Sequence, residues 1–187
     1  MKRLFIVIIR NIDEFKEYYP VFSRCISSSF MISHGLRENV LLFFYFLSEK
    51  TIIRFLGNRL RQIRPDEQSL YGIIKKIIRF VESDRKKGRL HTGILAYRGN
   101  LHNFLRLDKQ TYILVEDNKG IDIRKLKISK PSRVIYIVSL SYLDFNTIKK
   151  MVRGNNILRV KTSIESLFPD NLIVLVNNEL DRRFYEK

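Results

Sequence analysis

The feature that most constrains this chain is an apolar stripe of helical period between residues 65 and 81. Its members recur at spacings of three and four residues: Leu70, Ile73, Ile74, Ile77, Ile78 and Val81. Residues at these spacings share one face of an α-helix, so the pattern predicts a helix that packs on a core. Pro65, Asp66 and Glu67 precede the stripe, and proline and carboxylates are both favoured in the first turn of a helix. We therefore expect the helix to begin at these three residues.

Basic residues are concentrated around this predicted helix. The chain of 187 residues carries 35 Lys and Arg against 19 Asp and Glu, which gives a formal net charge of +16. Between Arg54 and Arg89 there are 11 basic and only 4 acidic residues. Such clustering favours a polyanionic partner, and it favours nucleic acid over an anionic membrane surface.

Segments of two kinds alternate along the rest of the chain. Residues 4–9 are apolar on both faces, as in a central parallel strand, whereas residues 13–33 carry apolar side chains at helical spacing. Further strands are predicted at 40–47, 51–56, 93–97, 111–115, 134–139 and 157–160, and further helices at 143–152 and 169–183. This alternation predicts an α/β fold with a mostly parallel sheet flanked by helices.

Two polar segments are predicted to be irregular. Residues 82–91 (ESDRKKGRLH) combine charge, a glycine and almost no apolar side chain, which predicts a mobile connector and a weak boundary inside a single domain of residues 1–187. Residues 117–120 (DNKG) follow a predicted strand and indicate a turn, with a ligand-binding loop as the alternative.

Several classes of protein are excluded by what the sequence lacks. There is no glycine-rich phosphate loop, zinc-hydrolase spacing, nucleophile elbow or dinucleotide-binding fingerprint. Cys25 is the single cysteine and lies in an apolar helical pattern, so we expect a buried thiol, no disulfide and no metal site. The longest apolar run, at residues 40–47, is too short to span a bilayer. We therefore expect a cytoplasmic protein without a membrane anchor.

Three short motifs occur in a fixed order before and at the start of the predicted helix. They are SHGLR at residues 33–37, FLG at 55–57 and PDE at 65–67. Together with the flanking segments at 25–40 and 52–80, they resemble the archaeal tRNA pseudouridine-54 N1-methyltransferases, which belong to the SPOUT class. Weaker similarity extends the resemblance over nearly the whole chain.

The resemblance implies a SPOUT-type domain with a deep trefoil knot near the C terminus, a homodimer packed through helices at the knot, and S-adenosylmethionine held mainly by backbone groups of the knot loops. It also implies methyl transfer to N1 of a pseudouridine in the T-loop of tRNA. The positions that match the cofactor lining of the family are Leu114, Ser139, Leu140, Ser141, Val160, Thr162 and Leu167. Candidate contacts to RNA phosphates are Arg24, Arg37, Arg54, Arg59, Arg61 and Arg64. For any single one of these arginines, a solvated surface role is the alternative.

The chain departs from the family pattern in the cofactor loop. Where the family has Gly-Asp-His-Ile-Gly, residues 139–143 read Ser-Leu-Ser-Tyr-Leu. Glycine lets a backbone approach a ligand closely, so larger residues would narrow or fill the pocket. We expect the loop to refold so that Ser139 and Leu143 avoid positive φ, with weakened but not abolished cofactor binding. The alternative is a divergent SPOUT-fold RNA-binding protein that has lost cofactor binding and catalysis. An unrelated α/β binding module would require the motif matches to be accidental.

Overall fold

The computed structural model describes residues 1–33, 35–64, 66–129, 131–162 and 167–184. Its strands are β1 (Lys2–Ile9), β2 (Met31–Ile32), β3 (Gly35–Leu36), β4 (Val40–Phe46), β5 (Thr51–Leu56), β6 (Lys87–His91), β7 (Ile94–Arg98), β8 (Thr111–Asp122), β9 (Arg133–Ser139) and β10 (Ile157–Lys161). Its α-helices are α1 (Ile12–Glu17), α2 (Tyr19–Phe30), α3 (Glu67–Val81), α4 (Phe145–Val152) and α5 (Pro169–Phe184).

Eight of these strands form one sheet in the order β10-β8-β9-β1-β4-β5-β7-β6. Neighbouring strands are parallel from β10 to β4, whereas β4, β5, β7 and β6 pair antiparallel. The central strand β1 lies between β9 and β4 and is buried along seven of its eight residues, which explains its unbroken apolar sequence. The predicted central parallel strand and the mostly parallel α/β sheet are therefore confirmed.

Helices cover the two faces of the sheet unequally. Helices α1, α2, α3 and α5 pack on one face, where Phe22, Ile74 and Ile173 belong to the larger core. The other face is covered by α4, through Ile148, and by a short 3-10 turn at Leu101–Phe104. The second face is thus the more thinly covered one.

Helix α3 forms as its sequence pattern predicts. Asp66 is the N-cap, and its Oδ1 accepts a hydrogen bond from the backbone N–H of Ser69 at 2.8 Å. Leu70, Ile74 and Ile77 of the stripe are buried in the larger core. The predicted start of the helix is confirmed for Asp66, whereas Pro65 lies outside the described residues.

The two segments predicted to be irregular both contribute to strands. Residues 87–91 of the predicted connector form β6, the edge strand of the sheet, and edge strands commonly carry charged side chains. The predicted turn at 117–120 lies within β8, at an interruption of its ladder with β10. Arg159 pairs with Val115 but Val160 pairs with Ile121, so residues 116–120 bulge out between them. In this chain, a composition that is typical of loops belongs to an edge strand at residues 87–91 and to a bulge at residues 116–120.

Candidate functional site

A cavity of about 520 Å³ opens at the carboxyl edge of the parallel strands. Val138 and Leu172 belong to its apolar lining, and Glu116 and Asp117 to its polar lining. It lies at the bulge of β8 and at the ends of β9 and β10, next to the beginning of α5. Ligands of open α/β sheets bind at this edge, and small-molecule sites occupy about 300–1,000 Å³. We call this space the carboxyl-edge cavity.

The bulge in β8 brings acidic side chains to this cavity. The bulge can fold back on β10 because residue 120 is glycine: a Cβ there would lie 2.5 Å from the backbone of Val160. Glu116 Oε2 accepts a hydrogen bond from the Tyr136 hydroxyl at 2.7 Å. Its Oε1 accepts bonds from the hydroxyl and the backbone N–H of Thr162, at 3.1 and 3.3 Å. These donors, one on β9 and the other directly after β10, fix the Glu116 carboxylate in the cavity wall.

Tyr136 is suited to act as a permanent donor in this network. Its ring is buried, at 1% exposure, and packs edge-on against Phe5 with 6.3 Å between ring centroids. Burial, and then the neighbouring Glu116 carboxylate, raise the pKa of the Tyr136 hydroxyl well above its ordinary value of 10.0. The hydroxyl therefore remains protonated, and keeps donating to Glu116, across the physiological pH range.

Three of the seven predicted cofactor-binding residues line the carboxyl-edge cavity. They are Ser139, Leu140 and Leu167. Thr162 contributes indirectly, because it holds Glu116. The structure thus brings four of the seven positions to one place.

The other three predicted positions lie behind or beside the cavity. Leu114 and Val160 are fully buried in the larger core, at 0% exposure. The Ser141 hydroxyl donates to Glu14 Oε1 and accepts a hydrogen bond from Arg10 at 2.5 Å. Ser141 therefore anchors the loop to the region of α1, and its assignment as a cofactor contact stays a prediction.

The loop of residues 139–143 adopts ordinary backbone angles. Among described residues other than glycine, positive φ occurs at Lys50, Gln62 and Arg153, and at no residue of this loop. The loop thus avoids the strain that its missing glycines would otherwise bring. Tyr142 and Leu143 contribute to the cavity lining, and the Tyr142 side chain is 86% exposed. The cavity is open although this loop contains no glycine.

Two of the six arginines predicted to contact RNA have carboxylate partners within the chain. Arg24 Nε lies 2.6 Å from Asp170 Oδ2, and Arg37 Nη1 lies 2.8 Å from Asp181 Oδ2. Asp181 also pairs with the buried Arg3, at 2.5 Å. These ion pairs join α2 and the amino-terminal edge of the sheet to α5, so they have a structural role whether or not RNA binds.

A third predicted arginine, Arg54, packs against aromatic rings. Its guanidinium carbon lies 5.3 Å from the ring centroid of Phe43 and 5.8 Å from that of Tyr97. Cation–π contacts of this kind hold the side chain against the sheet. Arg54 is therefore less available to a ligand than its position in the basic sequence suggested.

The remaining arginines are exposed, and two of them line a second cavity. This cavity, of about 390 Å³, lies between the turn after β5 and the β6–β7 hairpin, and Arg59, Arg61 and Arg89 all contribute to it. Gly93 has φ +79°, and a Cβ on it would lie 2.7 Å from the backbone of Arg59. The glycine therefore lets the turn and the hairpin close together. Arg64 is exposed but does not line the space, which we call the arginine cavity.

The arginine cavity is electrostatically unbalanced. Within the part of the chain that the structure describes, Arg59, Arg61 and Arg89 form no salt bridge. The carboxylate that caps α3, on Asp66, does not line the cavity. Three uncompensated guanidinium groups around one space suit phosphate oxygens.

Sequence reasoning did not single out four residues in or behind these two cavities. Glu116 falls between a predicted strand and a predicted turn, and Asp117 belongs to that turn. Tyr136 belongs to a predicted strand, and Arg89 to the charged segment of residues 82–91. One signal was available: an acidic pair directly follows the apolar strand residues 113–115. A polar pair at the carboxyl end of a parallel strand is typical of a ligand site.

The described residues offer neither a metal-binding cluster nor a membrane-spanning helix. Among the described residues, no group of three or more His, Cys, Asp or Glu side chains could hold a metal ion. In the same residues, no helix has both the length and the apolar character needed to cross a bilayer.

The chain has an α/β fold whose sheet is parallel in one half, with a cavity between the last parallel strands and the final helix, which agrees with the predicted SPOUT-type fold. A solved structure of similar fold is that of Archaeoglobus fulgidus Nep1 bound to S-adenosylhomocysteine, with a TM-score of 0.65, 10% identity and 100% coverage of both chains. Residues 16–184 match the sequence model of a family described as "Putative SAM-dependent RNA methyltransferase". The chain belongs to this family.

Similar curated proteins come from archaea and share one name, tRNA (pseudouridine(54)-N(1))-methyltransferase. The protein of Methanospirillum hungatei is 28% identical over 164 residues, which cover 86% of this chain and 80% of the relative. That of Methanococcoides burtonii is 28% identical over 174 residues, covering 89% and 84%. That of Methanosarcina acetivorans is 29% identical over 171 residues, covering 89% and 80%. The resemblance stated from the sequence motifs is confirmed.

Proposed function

We propose that this protein is an S-adenosylmethionine-dependent tRNA methyltransferase that acts on N1 of a pseudouridine in the T-loop. The observation that carries the proposal is the carboxyl-edge cavity, with Glu116 fixed in its wall by Tyr136 and Thr162. Membership of an RNA methyltransferase family and the names of the similar archaeal proteins support the choice of reaction and substrate.

The residues of the carboxyl-edge cavity fit such a cofactor chemically. S-adenosylmethionine supplies an electrophilic methyl group on a sulfonium sulfur. Val138, Leu140 and Leu172 offer apolar surface for a nucleoside base and keep water from one wall. Glu116 offers acceptor oxygens to ribose hydroxyls or to an ammonium group. Backbone groups of the loop at 139–143 complete the site, and these do not depend on side-chain identity.

The chain's contribution to the chemistry is positioning. Methyl transfer would require cofactor and nucleotide to be held close together in a fixed orientation, and rigid elements of the chain can supply this. The cavity is built on the ends of parallel strands and on α5, which are fixed by the sheet and by the larger core. Lys161 at the end of β10 and Asp117 in the bulge add charges of both signs beside the space.

RNA is proposed to bind through the arginine cavity. Arg59, Arg61 and Arg89 supply three guanidinium groups without intramolecular salt bridges among the described residues, and phosphate contacts of this kind dominate affinity for nucleic acids. Arg24, Arg37, Arg54 and Arg64 remain predicted contacts of the second rank, because the first three already have partners and the last lies outside the cavity. Since tRNA is the proposed partner, a cytoplasmic location remains our expectation.

A homodimer packed through α5 is also proposed. Two apolar side chains at and just before this helix are exposed: Phe168 is 46% and Val174 is 50% accessible. Neighbouring Leu172 and Val176 are buried within the chain, so the exposed pair is free for a second copy. The trefoil knot is expected in the segment that leads into α5, where residues 163–166 lie outside the described residues. Light scattering at micromolar concentration should give the mass of two chains, and the mass of one chain would contradict the dimer.

Calorimetric titration with S-adenosylmethionine and S-adenosylhomocysteine tests the enzyme proposal. Binding with a dissociation constant below about 1 mM is expected, together with methylation of a T-arm RNA containing pseudouridine but not of the same RNA containing uridine. Absence of binding at millimolar cofactor, with tRNA binding intact, would instead favour the divergent RNA-binding relative.

A further inference from the structure

A third cavity lies on the more thinly covered face of the sheet, apart from the two already described. It has a volume of about 320 Å³ and is formed between α4, the 3-10 turn at Leu101–Phe104 and the end of β4. Tyr45, His102, Lys150 and Arg153 are among its lining residues. This volume is at the lower end of the range for small-molecule sites, so it suits a small polar group better than a whole cofactor.

The charge of this cavity is positive. No Asp or Glu is among its lining residues, and neither Lys150 nor Arg153 forms a salt bridge with any residue that the structure describes. Lys150 interacts electrostatically with the carboxylate of Asp144, the N-cap of α4. That carboxylate is engaged with the backbone N–H of Thr147, at 3.0 Å, and with its hydroxyl. The cations are therefore not neutralised at the cavity itself.

A buried hydroxyl adds a neutral donor to the two cations. Tyr45 is 3% exposed and belongs to the cavity lining. A tyrosine hydroxyl can donate a hydrogen bond to an acceptor such as a phosphate oxygen. Burial raises the pKa of the Tyr45 hydroxyl above its ordinary value of 10.0, so the proton is retained at physiological pH.

Arg153 occupies a backbone position that favours glycine. It ends α4 with φ 52° and ψ 40°, in the left-handed region, and its N–H bonds to the carbonyl of Lys149 at 3.1 Å. Helices commonly end with glycine in this conformation, and here an arginine stands before Gly154. Arg153 also lines an adjoining cavity of about 230 Å³, together with Lys109 and Asp108. The Asp108 carboxylate accepts hydrogen bonds from the hydroxyls of Thr111 and Ser132, at 2.8 and 2.9 Å. Arg153 thus connects the two cavities, and Lys109 adds a cation to the second.

We propose that the cavity between α4 and the 3-10 turn is a phosphate-binding subsite, in which Tyr45, Lys150 and Arg153 hold a backbone phosphate of the RNA substrate. The adjoining cavity favours a phosphodiester chain over a free anion, because Arg153 lines both spaces and Lys109 places a further cation beyond the space that one phosphate fills. Helix α4 begins directly after the loop of the carboxyl-edge cavity, and its eight residues span about 12 Å. The subsite would therefore contact RNA close to the nucleotide being modified. This inference rests on the proposed function.

The experiment compares binding of unmodified tRNA transcript to the full chain and to three variants, at several salt concentrations. Lys150→Gln and Arg153→Gly each remove one lining cation. Lys149→Gln removes a neighbouring exposed cation of the same helix that lines neither cavity, so it is the matched control. Loss of one phosphate contact should weaken binding about five- to eightfold at 0.1 M salt and lower the log–log salt slope by roughly 0.7–0.9.

Arg153→Gly separates a binding role from a structural one. Glycine relieves the left-handed backbone position, so the midpoint of thermal unfolding should stay the same or rise while tRNA affinity falls. Unchanged affinity in this variant and in Lys150→Gln would overturn the subsite. An equal loss in Lys149→Gln would also overturn it, because the effect would then be that of diffuse charge.

Two further measurements are needed. One tells whether the phosphate comes from RNA or from a free anion, and the other tells whether the subsite alone fails or the proposed function fails as well. Titration with inorganic phosphate or AMP, followed through the NMR signals of the His102 ring, reports a small anion directly. A response of His102 with unchanged tRNA affinity in both cation variants would assign the cavity to a free anion and overturn the RNA contact. If Arg59→Gln and Arg61→Gln weaken tRNA binding while Lys150→Gln and Arg153→Gly do not, the subsite alone fails. If the wild-type chain binds no tRNA, the proposed function fails and the subsite fails with it.

Discussion

The carboxyl-edge cavity and the arginine cavity lie at opposite edges of the same sheet and differ in charge. The first is formed by strands that run parallel, and it carries the fixed carboxylate of Glu116. The second is formed by antiparallel strands β5, β6 and β7 and carries three guanidinium groups. Five strand spacings separate β8 from β7, which amounts to about 24 Å across the sheet.

This separation has a physical consequence. A cofactor that carries a positive sulfonium is best held apart from unpaired arginines, whereas RNA phosphates are best held apart from carboxylates. One sheet satisfies both requirements because its two edges are independent surfaces. Cofactor affinity and RNA affinity should therefore respond to different substitutions. A single substitution that changes both affinities would contradict the independence of the two cavities.

The largest effect is expected from Glu116→Gln. Glutamine keeps the shape of the side chain but removes the charge from hydrogen bonds that are stronger when charged, so S-adenosylmethionine affinity should fall about 10- to 100-fold. Affinity for tRNA should stay within twofold of wild type. Calorimetry and filter binding measure the two quantities separately. Glu82→Gln, which changes a surface partner of Lys16, serves as the control.

The converse variant is the double substitution Arg59→Gln/Arg61→Gln. Removal of two phosphate contacts should weaken tRNA binding about 25- to 60-fold at 0.1 M salt and lower the salt slope by roughly 1.4–1.8. Affinity for S-adenosylmethionine should not change. Lys76→Gln, an exposed cation of α3 outside the cavity, is the matched control. A salt slope equal to that of wild type would remove the arginine cavity as an RNA site.

A gain of function sharpens the comparison at the carboxyl edge. Ser139→Gly/Leu143→Gly should tighten S-adenosylmethionine binding by up to about thirtyfold, because the loop regains backbone freedom and the Leu143 side chain leaves the cavity wall. Affinity for tRNA is expected to remain as it was. If neither the wild-type chain nor this variant binds cofactor at millimolar concentration, the enzyme proposal should be abandoned.

The smallest effect is expected in the pH dependence of stability, which depends on ionisation of Tyr136, the hydrogen-bond donor to Glu116. The folded-state pKa of Tyr136 lies above its unfolded value near 10, so its contribution is fully present below pH 10 and is lost as the pH rises beyond it. Urea unfolding between pH 8.5 and about 11.5 should show stability falling by up to about 1.4 kcal/mol per pH unit from this group. Tyr136→Phe should flatten that decline, whereas Tyr142→Phe, at an exposed position, should not.

Buried Cys25 contributes to the same alkaline decline but does not confuse the test. Burial raises the pKa of its thiol well above 9.0, so its stabilising contribution is also lost at high pH. The thiol is present in wild type and in both tyrosine variants, and its effect cancels when they are compared. A decline in Tyr136→Phe as steep as in wild type would show that Tyr136 ionises no less readily when folded.

Much of the architecture follows from local sequence. Helix α3 was predicted from six apolar residues and a capping aspartate, and strands β1, β4 and β5 from apolar runs of the right length. Strand β6 was mistaken for a connector because an edge strand pairs on one side only and keeps charged, exposed side chains. The periodicity of apolar residues indicates which side chains are buried. An edge strand with few buried side chains, such as β6, therefore shows no such periodicity.

The two cavities were predictable only in part. The sequence placed Arg59, Arg61, Ser139, Leu140 and Leu167 among the candidates, and each of them lines a cavity. It could not separate them from Arg37, whose partner Asp181 is 144 positions away, or from Leu114, which is buried beneath the site. Contacts between residues distant in sequence decide which members of a basic or apolar set remain free.

The sequence by itself determined the α/β class, the helix at residues 67–81, the excess of positive charge and the family. Only the tertiary structure decided that Glu116 meets Tyr136 and Thr162, which lie 20 and 46 positions away. Helices and strands can be predicted from neighbouring residues, because each is stabilised by side chains within a few positions of each other. A site depends on strand order and register, and here a shift of pairing from Val115 to Ile121 opposite two consecutive residues of β10 turned a polar stretch into the wall of a cavity.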